Sequence, residues 1–374
     1  MKFNSLTLQL QAAFLPLMIL LMGCGAPRPW YNRSYDRQLL QPSTPPLPTA
    51  PGTFTLFMIG DCGKSAADKP SPAFAELKKQ LAEAGPNSAV IYLGDNIYEY
   101  GLPADSAPDR KEMERRMTVQ LEPANGFQGK TIVIPGNHDW AQGKPEGYAA
   151  RLREEAFVEK HLNQGNTYLP DNGCPGPYEL PLNERITLLA YDSQWWLHAH
   201  EKPGKAQGCA TDTDAEFIAA FKTALERNKD KQIIVAAHHP FHSYGAHGGH
   251  YHPKFHLFPL LMFKKNLWIP LPVLGSVAVW YRKYVGNIQD IPNKRYKALK
   301  TELEAAFARY PGLIYLTGHD HNQQYLPIEG RHYIVSGAGS KSNYVGHGKR
   351  ALFTDAEIGF GRLIFDENGK ERLE

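Results

Sequence analysis

At 374 residues, with 42% hydrophobic and 21% charged residues, the chain has a globular composition and length enough for one large domain or two ordinary ones. A formal net charge of +3 is too small to argue for a nucleic-acid surface. The stronger bias is local, since seven of the fifteen histidines fall between His238 and His256.

The chain opens with "MKFNSLTLQLQAAFLPLMILLMGC", where Lys2 precedes an apolar run to Met22 and then Gly23-Cys24. That run is too short and too near the start for an ordinary spanning helix. Its ending, "LMGC", resembles the bacterial lipoprotein box. The resemblance implies a signal peptide over 1–23, cleavage before Cys24 and lipid attached to Cys24. It also implies export to the cell envelope, with a membrane-tethered domain facing the periplasm or exterior. A plain signal peptide or an uncleaved anchor is the simpler alternative. Residues 24–52 are rich in proline and polar residues and read as an extended tether. The folded domain is expected over 53–374. Cys174 and Cys209 lie in Gly/Pro-flanked loops ("DNGCPGP", "KAQGCAT"). They are the pair expected to bond in an oxidising compartment, leaving Cys62 free.

From Thr53 short apolar runs recur, each ending in a polar cluster: "TFTLFMIGDCG", "AVIYLGDNIY", "TIVIPGNHDW", "ITLLAYDS", "QIIVAAHHP", "LIYLTGHDH" and "HYIVSGAGS". Continuous, β-branched runs predict strands buried on both faces. Helical patterns lie between them. In "SPAFAELKKQLAEAG", Pro72 suits the first turn, Phe74, Leu77 and Leu81 make a stripe, and Gly85 stops it. "DAEFIAAFKTALERN" and "RYKALKTELEAAFARYPG" repeat the logic with Phe217 and Phe221, and with Leu299, Leu303 and Phe307. Strand–helix alternation gives an α/β class. Residues 251–297 break the pattern. They are apolar, carry basic residues and are interrupted by Pro259, Pro270 and Pro272. They are read first as a long insertion folded over the site, with an interfacial patch touching membrane or lipid as the alternative.

Polar clusters after strands are where open α/β sheets place their sites. Five clusters carry metal-ligand side chains: Asp61; Asp95 with Tyr98; Asn137 with His138; His238 with His239; and His319 with His321. Any one alone is weak, since a lone Gly-Asp is most often a turn and a lone histidine pair most often a hydrogen-bonding pair. Five in succession are hard to explain as turns. "GDCGKS" ends like a phosphate-binding P-loop, but Met58 stands where that loop needs glycine. No G-x-S-x-G presents a nucleophilic serine. Carboxylates, a phenol, an amide and imidazoles without thiolate suit Fe, Mn or Zn. They are too many for one ion and about right for two, which clamp the attacking and leaving oxygens of phosphoryl transfer from roughly 3.5–4 Å apart.

The ordered series "GDCG", "GDNIY", "GNHD", "AAHHP" and "GHDH" resembles the calcineurin-like metallophosphoesterase superfamily. Within it, the series is similar to the small, tartrate-resistant type of purple acid phosphatase. "GHDHNQQYL" and "YIVSGAG" strengthen that likeness, which runs from about Phe54 to Phe365 apart from residues 251–297. Gly63 stands where the wider superfamily has the histidine of D-x-H, and Tyr98 follows Asp95 instead. The resemblance implies a four-layer α/β/β/α sandwich of two mixed sheets flanked by helices. It implies hydrolysis of phosphate monoesters by a metal-bound hydroxide at a dinuclear Fe(III)–M(II) centre, M being Fe, Zn or Mn. Asp61, Tyr98 and His321 would hold the ferric ion, Asn137, His238 and His319 the divalent one, and Asp95 would bridge. A phenolate, from a phenol of pKa ~10, needs a strong Lewis acid to stay ionised.

His138 and His247 match the family's outer, substrate-contacting histidines, either able to protonate the leaving alkoxide. His239 is read as packing, His242, His250, His252 and His256 stay unassigned, and Asp320 points away. Trp140, Trp195 and Trp196 are read as walls or core, "SGAGS" as a tight turn near the site, and Cys62 as a packed side chain. The implied partner is a small phosphorylated substrate, with the membrane reached through the lipid anchor. A phosphodiesterase of nucleotides or phospholipids is the alternative, and a non-catalytic phosphate- or metal-binding lipoprotein the more distant one. Small acid phosphatases continue with another strand where this chain reaches Glu374, so one sheet edge is expected to be missing or differently made.

Overall fold

The computed structural model describes residues 29–32, 52–66, 68–264 and 266–374. The segment read as a signal peptide over 1–23, Cys24 and most of the segment read as a tether lie outside the described residues. Two mixed sheets carry the domain. In the first, β2 (Phe54–Ile59), β3 (Ser88–Leu93) and β4 (Lys130–Ile134) run parallel, and β12 (Gly361–Phe365) and β13 (Glu371–Leu373) close the other side antiparallel. The sheet edge that was in question at the C-terminus is therefore made by the β12–β13 pair.

The second sheet is built on parallel β6 (Ile186–Ala190), β7 (Gln232–Ala236), β8 (Ile314–Thr317) and β10 (Arg331–Ser336). Antiparallel β5 (Tyr178–Pro181) and β9 (Gln323–Ile328) flank them, and β11 (Phe353–Asp355) lies outside β9. Within the segment read as a tether, β1 (Trp30–Tyr31) pairs with β11 through Trp30↔Thr354 and Tyr31↔Phe353. The chain is thus already on the sheet before Thr53.

Residue-by-residue alternation builds the layers. Along β2, Leu56 and Met58 join Ile91, Leu188, Ile234 and Leu316 in the core between the sheets. Phe57 and Ile59 point outward onto Phe74, Leu77 and Leu81 of α1 (Pro72–Glu83) and Met117 of α2 (Arg110–Leu121). On the far side of the second sheet, Val235 and Tyr315 meet Phe217 and Phe221 of α5 (Asp214–Arg227) and Leu299, Leu303 and Phe307 of α8 (Lys294–Phe307). Side chains of period two on a strand feed two different cores, which is why the runs read as continuously apolar. The result is the four-layer sandwich expected.

The polar helix α3 (Gly147–Leu162) and the one-and-a-half-turn α4 (Ser193–Leu197) brace the loops after β4 and β6. Trp140, Trp195 and Trp196 are buried in the outer core. Cys174 and Cys209 are disulfide-bonded, and Cys62 is free and buried. The segment read as an insertion forms α6 (Lys254–Leu257), a single turn at Pro259–Met262 and α7 (Pro272–Tyr284).

Candidate metal centre

The strand ends of both sheets converge. Asp61, Asp95 and His319 each sit two residues past a strand and one past a glycine, and each has left-handed backbone, at φ 59°, 56° and 69°. That conformation costs a non-glycine residue about 1–2 kcal/mol and turns the side chain back across the strand ends. The approach is close. A Cβ on Gly136 would sit 2.3 Å from Asp95 Oδ1, and one on Gly318 would sit 2.7 Å from Asp61 Oδ2. Only glycine leaves room for those carboxylates.

Two donor groups share Asp95. One is Asp61, Asp95 and His321; the other is Asp95, His238 and His319. In the first, the Tyr98 hydroxyl lies 2.8 Å from Asp61 Oδ1, 3.0 Å from Asp95 Oδ2 and 3.4 Å from His321 Nε2. His321 Nε2 is 3.2 Å from Asp61 Oδ1. In the second, His238 Nε2 is 3.3 Å from Asp95 Oδ1 and 3.2 Å from His319 Nδ1. Asn137 is buried beside them, following Gly136, and its Oδ1 has no hydrogen-bond partner among the described residues. A buried amide oxygen without a donor costs about 1–3 kcal/mol. That orphan, with lone-pair donors crowded against one another, fits a pair of cations. A further acidic group, Glu155, Glu159 and Asp171, lies away at the α3 end, where Arg151 pairs with Glu155.

The protonation states fit as well. Burial and the charges of Asp61 and Asp95 push the Tyr98 phenol well above its ordinary value. Burial and neighbouring imidazoles lower His319, and burial with the Lys341 charge lowers His321, so both are neutral rings with a lone pair to give. Burial opposes charge on His238, but Asp95 and then Asp61 raise it to about 9. A cation there would displace that proton.

Outer contacts hold the donors. His238 Nδ1 lies 2.7 Å from Leu93 O, and His321 Nδ1 lies 2.6 Å from Asn343 Nδ2. The Asp139 carboxylate accepts from the backbone N–H of Gly136, Asn96 and Ile97 at 2.7, 2.8 and 3.1 Å, binding the β3 and β4 loops together. Burial and the Asp95 charge raise it to about 7. Ser340 donates to Asp61 O at 2.5 Å, and a Cβ on Gly337 would meet Asp61 Oδ2 at 2.8 Å, so "SGAGS" packs behind the site as a turn.

His138 and His247 stand at the rim. His138 Nδ1 is held by Glu99 O at 2.7 Å, and its Nε2 faces Asp95 Oδ2 at 3.8 Å. The His247 ring lies on His319 with 3.8 Å between centroids, and its Nδ1 is 2.9 Å from Asp290 Oδ1. Asp290 receives a fork from Arg282 at 2.5 and 2.6 Å. His239 is packed between Ser193 and Gln289, as expected of a structural residue. His242 pairs with Glu304, His250 packs on Tyr244, His252 on Tyr344, and His256 lies by Ser276. Asp320 faces away from both donor groups and takes the Ser243 hydroxyl and the His247 N–H.

Several neighbours were not singled out in the sequence. Lys341 Nζ lies 3.5 Å from the Tyr98 ring centroid, and Asp139, Asp290, Arg282 and Asn343 hold donors or rim. Asp139 stood inside the quoted "GNHD", and Lys341 directly followed "SGAGS".

A family model described as calcineurin-like phosphoesterase matches residues 54–323. The structure is similar to that of GAP50, described as the anchor in the inner membrane complex of Plasmodium. The TM-score is 0.53 at 16% identity, covering 85% of this chain and 82% of that one. It is also similar to PhoD, with a TM-score of 0.48 at 12% identity, covering 84% of this chain and 65% of that one. At such identities the likeness concerns the fold alone. No curated protein matches the sequence significantly.

Proposed function

The chain belongs to the calcineurin-like phosphoesterase family, a family of metal-dependent phosphoester hydrolases, and from that premise we propose that it cleaves phosphate monoesters at a ferric–divalent pair of ions. The observation that carries this reading is the Tyr98 hydroxyl set among Asp61, Asp95 and His321. A phenol so buried against two carboxylates ionises only for a strong Lewis acid, and Fe(III) is the ion that phenolate favours. In this reading Asp61, Tyr98 and His321 hold the ferric ion, and Asn137, His238 and His319 hold Fe, Zn or Mn, with Asp95 shared. When bound, the two ions supply Lewis acidity and an activated water.

The chain's own residues do the rest. Lys341 brings positive charge beside the donor set, where an incoming phosphate places its negative oxygens. His138 and His247, each held at Nδ1, present Nε2 to the leaving-group oxygen. As the bond from phosphorus to that oxygen breaks, one of them delivers the proton the alkoxide needs. The domain is proposed to work outside the cytoplasm, anchored through lipid on Cys24.

The test is the visible spectrum of the purified protein, with metal analysis, before and after Tyr98→Phe. A broad tyrosinate-to-iron band lost in the variant is the expected result. Turnover of p-nitrophenyl phosphate should exceed that of the bis ester. Asn137→Ala or His238→Ala should lose more than the ~10–100-fold that an outer-shell partner is worth. A colourless, active protein holding zinc or manganese and indifferent to Tyr98→Phe overturns the ferric reading. Faster diester cleavage would make it a phosphodiesterase on the same scaffold.

A further inference from the structure

Helix α7 is amphipathic the wrong way round. Gly275 and Val279 face inward, while Val273, Leu274, Val277, Trp280, Tyr281 and Tyr284 are all exposed. The loop before it adds Phe263, 85% exposed, with Trp268 and Ile269. Side chains of this size left in water on one helix face mark an interaction surface.

The charge around this face is one-sided. No Asp or Glu occurs between Asp230 and Asp290, while Lys254, Lys264 and Lys283 do. Arg282 is already committed to Asp290. Exposed Trp and Tyr beside aliphatic residues and lysines are the composition of the lipid–water boundary. Lysines beside an anionic leaflet are drawn to its negative surface. At thirteen residues α7 lies along such a boundary, and no helix among the described residues is long and apolar enough to cross a membrane.

Strand β1 lies in the same quarter. Trp30 stacks on His347 with 4.7 Å between ring centroids, and His252 of the insertion meets Tyr344 at 5.3 Å. One loop, 344–347, therefore touches both β1 and the insertion. Trp30 lies six positions after Cys24, a reach of at most ~20 Å. A chain anchored at Cys24 has its sheet edge held close to the bilayer.

We propose that α7 and the preceding loop dock on an anionic lipid bilayer, with the apolar face sunk to headgroup depth and Lys264 and Lys283 against the lipid charge. The same segment continues to Asp290, which holds His247, so the docked face is joined directly to the rim of the site. The proposal concerns where the domain sits and stands or falls separately from the reaction.

The test uses the full chain with vesicles of phosphatidylcholine, with and without phosphatidylglycerol, whose acyl chains are brominated to quench tryptophan at depth. Per bound chain, the wild type should be quenched, more so with phosphatidylglycerol. Trp268→Phe/Trp280→Phe should lose that quench while still binding. Val277→Glu/Tyr281→Glu should lose it too, with p-nitrophenyl phosphate turnover and Tm unchanged. A quench that survives both pairs of substitutions means that the N-terminal segment alone meets lipid, and overturns the proposal. So does a wild-type dimer on size exclusion that the glutamate pair makes monomeric with no effect on vesicles, since a second copy would then cover the face. Should the glutamate pair fail to fold, the tryptophan-to-phenylalanine pair decides the matter.

Discussion

Asp61, Asp95 and His319 gain their direction from left-handed backbone, and the glycine before each is legible because glycine at a strand end is a turn signal. The donors themselves were readable for the same reason, since each follows an apolar run within a few residues. Lys341, Asn343 and Asp290 were not, because their place depends on loops returning from far along the chain. His198 shows another kind of hidden residue. It is buried, lies 4.9 Å from the Trp140 ring, and neither ring nitrogen has a partner among the described residues. Burial, then the charges near His200 and Lys202, lower it to about 4. The unfolded chain binds this proton near pH 6.5 and the folded chain only near 4, so stability should fall as pH drops through that window. His198→Phe should flatten this part of the profile, giving a smaller loss of Tm between pH 7 and pH 4.5 than in the wild type. An unchanged slope would remove His198 as its source.

Helices α1, α5 and α8 were legible because an apolar stripe faces a sheet. α2 and α3 were not. α3 turns Arg151, Glu154 and Glu155 inward alongside Ala150 and Val158, so its buried face carries charge and no stripe appears. α5 also carries a start signal that periodicity alone passes over. Thr213 accepts from the Glu216 N–H at 3.2 Å, and Glu216 accepts from the Thr213 N–H at 3.3 Å. Both donors are otherwise orphans of the first turn. Thr213→Ala should lower stability by about 1 kcal/mol in urea denaturation with an unchanged m-value. A changed m-value would mean that the native or denatured state itself had altered. The alternating burial of β9, with Gln324, Leu326 and Ile328 in and Gln323 and Tyr325 half out, marks it as a strand with one open face. It continues "GHDHNQQYL", whose metal-ligand residues drew the reading toward the site.

At the scale of the molecule, the two-sheet sandwich followed from strands buried on both faces, while the order of strands within each sheet did not. Period and burial say that a strand is central, and only long-range pairing says beside which. The disulfide is a molecule-scale device. Cys174 and Cys209, 35 positions apart, close a loop holding β5, β6 and α4, and with them the Asp192 carboxylate that caps α4 and takes the Trp140 N–H. On loop length alone, Cys174→Ala/Cys209→Ala should cost about 3–4 kcal/mol, and reductant should do to the wild type what the substitutions do. A wild type whose unfolding midpoint ignores reductant would mean that the bond adds nothing.

β1 has a practical consequence. A chain begun at Thr53, where the sequence places the start of the fold, would leave β11 with its outer backbone groups bare. An uncovered strand edge is a template for another chain. Such a truncation should therefore self-associate through β11, while one begun a few residues before Trp30 should remain monodisperse at the same concentration.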